Sequence, residues 1–177
     1  ALAAERQEPS KFLVEAAPTK IPKSLFNSKS FQFSAEKPLI VQPVLSPDNY
    51  MDVMPNVLRM AKKSILIEQQ YIRGTQPQIT VLLQAIAEAI QGNPDLDVRI
   101  VLGKLFDADA VVKEKKNLAH LKNTYGLALG PNIRFINEDR FVHCHNKLII
   151  VDGKTVLVSS QNWSDSAVSK NREAGIL

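Results

Sequence analysis

A chain of 177 residues, 45% of them hydrophobic, is long enough to bury one α/β core and short for two. It holds no apolar run near the roughly 18 residues that a membrane-spanning helix needs, and its single cysteine, Cys144, excludes an intramolecular disulfide. The net charge of +4 suits an anionic partner, lipid headgroup or nucleic acid, but there is no dense Lys/Arg tract and no basic–aromatic alternation for stacking single strands.

Residues 1–37 stand apart. They hold Pro9, Pro18 and Pro22, no glycine, and polar stretches such as Phe26-Asn27-Ser28-Lys29-Ser30, and they read as an irregular arm or linker. Ala1 to Ala4 lack the basic start and apolar core of a signal peptide. From Pro38 the pattern is regular, and 38–177 is expected to form one domain. A strand is predicted over 38–43. Ser46 is placed as the cap of a helix with Pro47 in its first turn, running to about Lys62, with a break or kink at Pro55. A strand over 64–70 follows, then an amphipathic helix over 78–91 that stops before Gly92. The spacing continues with a strand at 97–102, a helix at 107–123 and a strand at 132–136. On that helix Lys113-Glu114-Lys115-Lys116 reads as a solvated, mixed-charge face. The alternation predicts an α/β fold with a mixed, mostly parallel sheet, finished by an antiparallel hairpin over 146–151 and 155–159. A short helix over 163–169 and a strand over 172–177 end the chain. The abrupt stop at that strand predicts a domain truncated at its C-terminus.

The hairpin carries the chemistry. His145-Asn146-Lys147 is followed by four apolar residues and Asp152, then by Ser159-Ser160-Gln161-Asn162-Trp163 and Glu173. On a strand, residues two apart share a face, so His145 and Lys147 point the same way, about 7 Å apart. The returning strand delivers Ser160 and Asn162 beside them. Lys147 is a point charge for an anion, Ser160 and Asn162 offer neutral hydrogen bonds, and an imidazole titrates close to neutral pH. Such fixed donors are suited to the charge that grows when a nucleophile attacks a phosphodiester. Glu173 can accept the other ring N–H of a histidine and fix its tautomer.

This run resembles the signature of the phospholipase D superfamily: His-any-Lys, four residues, Asp, six residues, Gly-Ser-any-Asn. The departure is Ser159, where that family usually has glycine. The resemblance implies a mixed sheet with helices on both faces over 38–177. It implies His145, Lys147, Asp152 and Glu173 as catalytic residues, with Lys147, Ser160 and Asn162 on the phosphate. It also implies a covalent phosphohistidine, a second histidine that protonates the leaving group, and no metal or other cofactor.

Several residues carry ordinary readings beside these. Asp152-Gly153 between two apolar strands is also a strong hairpin-turn signal. His143-Cys144-His145 is far from zinc spacing, and His143 reads as a rim or satisfied strand residue. Trp163 reads as packing, while Gln69, Gln70 and Tyr71 end a strand where a site often lies. Of the three histidines, His143 lies on the same side as His145, and His120 sits in a helix without a motif. The second catalytic histidine is therefore expected from another copy of the motif, in a homodimer mate or in the other half of a longer protein. Three functions follow: half of a two-motif lipid phosphodiesterase or phosphatidyltransferase, which is favoured; a single-motif homodimeric nuclease; and a catalytically silent phosphate-binding module.

Overall fold

The computed structural model describes Glu36, residues 38–103, Leu105 and residues 108–177. The expected arm over 1–37, Glu36 excepted, and the first expected residue of the third helix, Asp107, lie outside the described residues. The chain divides after Val41, and the fold below is that of Gln42–Leu177.

In chain order the elements are β1 (Pro43–Ser46), α1 (Tyr50–Arg59), β2 (Ser64–Gln69), α2 (Pro77–Gly92), β3 (Asp97–Leu102), α3 (Ala108–Tyr125), β4 (Ile133–Phe135), β5 (Leu148–Val151), β6 (Thr155–Ser159), α4 (Asp165–Ser169) and β7 (Glu173–Ile176). The seven strands form one sheet in the order β1-β7-β6-β5-β2-β3-β4. The sheet is mixed, as expected. Its parallel character is confined to β2–β3 and β3–β4, and the other four pairings are antiparallel. Each helix that links β2, β3 and β4 is long enough to return the chain for a parallel pairing, whereas a tight turn joins β5 to β6 and the stretch 160–172, which carries α4, joins β6 to β7. β7 is hydrogen-bonded on both sides, to β1 and β6, so the sheet edges are β1 and β4.

The first expected strand is displaced. The strand begins at Pro43, not Pro38, because β1 is fixed by its ladder with β7, in which Pro43 faces Ile176 and Ser46 faces Glu173. The helix after it starts at Tyr50 rather than behind a Ser46 cap. Asn49 takes the entry position, and its side chain turns back to β1, accepting from Leu45 N at 2.7 Å and donating to Pro43 O at 3.1 Å. α1 continues through Pro55, which is buried with Tyr50, Met54 and Leu58 on one face of that helix. Tertiary burial here outweighs the local penalty of one missing N–H.

One face of the sheet is closed. Ile65, Ile67, Val98, Ile100, Leu102, Ile149, Val151 and Leu157 are all buried and lie in register on it. Among the described helices, α2 touches α1, α3 and α4. The opposite face carries Leu45, Val156, Val158 and Ile176, each more than a third exposed. Trp163 is core, as its packing reading expects: it is 0% exposed and its indole N–H donates to the Tyr50 hydroxyl at 3.1 Å. Burial pushes the Tyr50 hydroxyl well above the ordinary tyrosine range.

Candidate active site

The expected hairpin forms, with Leu148 facing Val158 and Val151 facing Thr155. Its turn is Asp152-Gly153, both at positive φ (56° and 65°), the pair of left-handed conformations that a two-residue hairpin turn requires. This turn lies at the end of β5 remote from Lys147. The Asp152 carboxylate accepts backbone N–H groups from Lys62, Lys63 and Ser64 at 2.6–3.0 Å, tying the hairpin to the start of β2. Asp152 is thus the one motif residue that the fold does not bring to the others. Those bonds, that of Ser64 foremost, hold its carboxyl below the usual carboxylate range. A depressed folded pKa stabilises above the unfolded value of about 3.9, and that stability is lost as pH falls through the folded value. Asp152→Asn is expected to lower stability by about 1 kcal/mol at pH 7, discounted for solvent screening. In urea unfolding, the difference from wild type should close in strong acid; a gap that stays constant would show that the charge is not what ties this turn.

The other motif residues meet at the opposite end, where β2 and β3 finish, β5 and β7 begin and β6 ends. Carboxyl ends of parallel strands are where α/β sheets commonly place ligands. His145 is exposed in the segment leading into β5, and its ring stacks on that of His143, with centroids 5.7 Å apart and 26° between planes. The expected strand over 146–151 therefore starts two residues late, yet the two histidines do share a side. Lys147 is buried, and its ammonium donates to the His145 carbonyl at 2.6 Å. Burial pushes the Lys147 ammonium below its ordinary value, while the Glu173 carboxylate opposes that shift.

Ser160 and Glu173 form a pair: the hydroxyl donates to Glu173 Oε2 at 2.5 Å and accepts from Ala174 N at 3.1 Å. Glu173 Oε1 accepts from Asn171 at 3.3 Å. Among the described residues Glu173 therefore holds Ser160 and faces Lys147 electrostatically, with no hydrogen bond to a histidine. Asn162 Oδ1 is buried without a hydrogen-bond partner, as are Gln69 Oε1, Ser159 Oγ and Gln161 Oε1. These buried acceptors give this end of the sheet a polar floor. His120 hydrogen-bonds Thr124 within α3, away from the motif. Among the described residues no three His, Cys, Asp or Glu side chains gather as metal ligands, the His143-Cys144-His145 triplet included.

Ser159, the departure from the family pattern, has a structural counterpart. It faces Gly175 across the β6–β7 ladder, where an added Cβ would lie 2.7 Å from Ser159 Cβ, 3.0 Å from Leu157 Cδ1 and 3.2 Å from Gln161 Oε1. One Cβ fits between the two strands, and it is on Ser159. Gly175→Ala is expected to cost about 1–3 kcal/mol in thermal unfolding, and Ser159→Gly in the same chain should restore most of it. Additive losses in the double variant would refute this coupling.

Two features escaped the sequence. Glu68, a lone acid in the apolar run of β2, accepts from Cys144 Sγ and from Asn146 Nδ2, both at 3.2 Å. Burial, followed by this carboxylate, pushes the Cys144 thiol up. Glu114 is not part of a solvated face: it is buried, bonded by Asn117 at 3.1 Å, and burial raises its carboxyl pKa. It lines a cavity of about 250 Å³ with Arg73, Thr75, Gln76, Lys113, Lys116 and Asn117. Gln69 ends β2 beside the segment after β6, its Nε2 donating to Gln161 O at 3.4 Å, and Arg73 stacks over the Tyr71 ring at 4.4 Å.

Fold and motif spacing together define an α/β domain of the phospholipase D-like class. The family model for the cardiolipin synthase, PLD-like domain matches residues 54–177, and the chain belongs to that family of phospholipase D-like domains. Among solved structures, it is similar to a phospholipase D family member, Nuc from Salmonella typhimurium, at 25% identity and a TM-score of 0.57, over 77% of this chain and 80% of that one. It also shares its fold with the phosphatidylserine synthase of Haemophilus influenzae Rd KW20, at 16% identity and a TM-score of 0.58, over 77% of this chain but 33% of that one. The comparison with curated proteins finds no match. No described helix is long and apolar enough to cross a membrane.

Proposed function

We propose that the chain supplies one of two half-sites of a phosphodiesterase or phosphatidyltransferase that acts on phospholipid phosphodiesters through a phosphohistidine. The observation that carries this reading is the placement of His145, Lys147, Ser160, Asn162 and Glu173 at one end of the sheet, with Lys147 buried and bonded to the His145 carbonyl. In the proposed path a ring nitrogen of His145 attacks phosphorus, forming a P–N bond as the P–O bond to the leaving group breaks. The histidine of a second motif copy gives its proton to the leaving oxygen. Water or an alcohol then attacks phosphorus, its proton passing to that second histidine, and the P–N bond breaks. Lys147, Ser160 and Asn162 stabilise the phosphoryl oxygens, and Glu173 orients Ser160 and supports the Lys147 charge. Asp152 acts through the hairpin turn. Family membership in the cardiolipin synthase-like group supports the lipid substrate.

A second reading, a single-motif dimer that cleaves nucleic-acid phosphodiesters, draws on Arg73, Lys113 and Lys116 around the cavity beside α3. The test is light scattering of the chain together with hydrolysis of bis-p-nitrophenyl phosphate in EDTA. The half-site reading expects turnover, with an acid-labile phosphoryl label on His145, only when two motifs are present, in a dimer or with the other half of a longer protein. Phosphatidylglycerol vesicles and single-stranded DNA then separate the substrates: steeply salt-dependent DNA cleavage without lipid turnover would select the nuclease. No label on His145 in any assembly would sink both.

A further inference from the structure

We propose that Glu68 is a positioning residue for His145, clamping the chain on both sides of the histidine; the inference rests on the role proposed for His145 above. Residues 136–147 lie outside helices and strands, so no ladder sets the direction of the histidine. In an extended stretch the residues at either side of a given position point opposite to it. Cys144 and Asn146 flank His145, and both reach the same carboxylate: Cys144 Sγ donates to Oε1 and Asn146 Nδ2 to Oε2, each at 3.2 Å. Fixing those two on one side sends His145 and Lys147 to the other. The stacking of His143 on His145 and the burial of Lys147 both agree with that phase.

The backbone of the histidine is held from its other side as well, by the Lys147 ammonium on the His145 carbonyl at 2.6 Å. Tight packing closes the third direction. A Cβ at Gly103, where β3 exits, would lie 2.8 Å from Gln70 O and 3.2 Å from Cys144 O. The choice of a carboxylate has a chemical reason. Glu68 sits between Leu148 and Val101 in the sheet, an apolar setting in which a carboxylate needs donors. Only a carboxylate offers two acceptor oxygens to two donors; an amide keeps one. Catalytic groups on loops need such ties to hold attack geometry.

The test uses the full chain in its active assembly, with bis-p-nitrophenyl phosphate turnover and long-range ¹⁵N–¹H spectra of the His145 ring. Glu68→Ala is expected to lower kcat about 30–100-fold with KM within about twofold, and to broaden or split the His145 ring signals. Glu68→Gln should fall between, and Cys144→Ser should retain more turnover than Cys144→Ala because a hydroxyl still donates. Asn146→Ala combined with Glu68→Ala should lose less than the product of the single losses, as expected of groups that act as a unit. An unchanged ring spectrum in Glu68→Ala, or a loss confined to KM, overturns the proposal. Should Glu68→Ala fail to fold, equal kcat in Cys144→Ser and Cys144→Ala with a wild-type ring spectrum in Glu68→Gln overturns it instead. A wild-type chain that never turns over would sink the phosphohistidine reading, while the ring spectra would still decide whether Glu68 positions His145.

Discussion

Replacement of His145 by alanine is expected to reduce turnover by at least about 10³-fold while leaving the folded protein intact. The asymmetry follows from where the residue sits. Its ring is exposed, stacks only on His143 among the aromatic contacts of the segment, and contributes nothing to the closed face of the sheet. Truncating an exposed side chain away from caps and buried networks costs within about 0.5 kcal/mol. The backbone carbonyl of residue 145, which takes the Lys147 ammonium, is untouched by the change. What is lost is the atom proposed to bond phosphorus, and no neighbour can replace it in the same geometry. His143 is the natural control, two residues earlier and stacked at 5.7 Å. His143→Ala should retain far more activity and keep the acid-labile label. Near-normal turnover in His145→Ala, or loss of the label in His143→Ala instead, would mean that the nucleophile has been misassigned.

How far the sequence discloses this site depends on the range over which each feature is determined. The hairpin was legible because its cause is local: alternating apolar strands, an Asp152-Gly153 turn that accepts positive φ, and polar residues at fixed offsets. The strands β2, β3 and β6 are nearly as predicted for the same reason. β1 was misplaced because its limits come from pairing with β7, more than a hundred residues away, and the apolar residues at 39–41 mimic a strand just as well. The parallel majority was overestimated since the alternation of elements does not reveal that β5 would insert between β2 and β6. Asp152 illustrates a further limit. Its spacing from His145 is that of a site residue, yet four residues of strand carry it to the other end of the sheet, where it binds Lys62, Lys63 and Ser64. Glu68 shows the converse. Nothing in the sequence links it to His145, because the link is a contact between β2 and the segment before β5, spanning 76 residues to Cys144 and 78 to Asn146. Its one visible sign was a charge in an otherwise apolar strand.

Lys147→Met should separate function from stability at a buried position. The ammonium is buried, and burial depresses its pKa, so the folded state disfavours the charged form relative to the unfolded chain. The sign follows: between the folded and unfolded values of that lysine the unfolded chain binds more protons, and stability rises with pH there. Removing the charge relieves this cost, and methionine keeps most of the apolar stem. The bond to the His145 carbonyl and the attraction of Glu173 are lost in exchange. These opposing effects should leave stability within about 1 kcal/mol of wild type in urea unfolding. Turnover should nonetheless fall by about 10²–10³-fold, the typical effect of deleting one preorganised donor to a developing oxyanion. The loss should appear in kcat, because the charge is aimed at the phosphoryl oxygens as negative charge builds on them. Any alkaline fall in wild-type turnover that reflects deprotonation of Lys147 should be absent from the variant. Unchanged kcat in a folded Lys147→Met would mean that this buried cation serves the loop of His145 alone and not the phosphate.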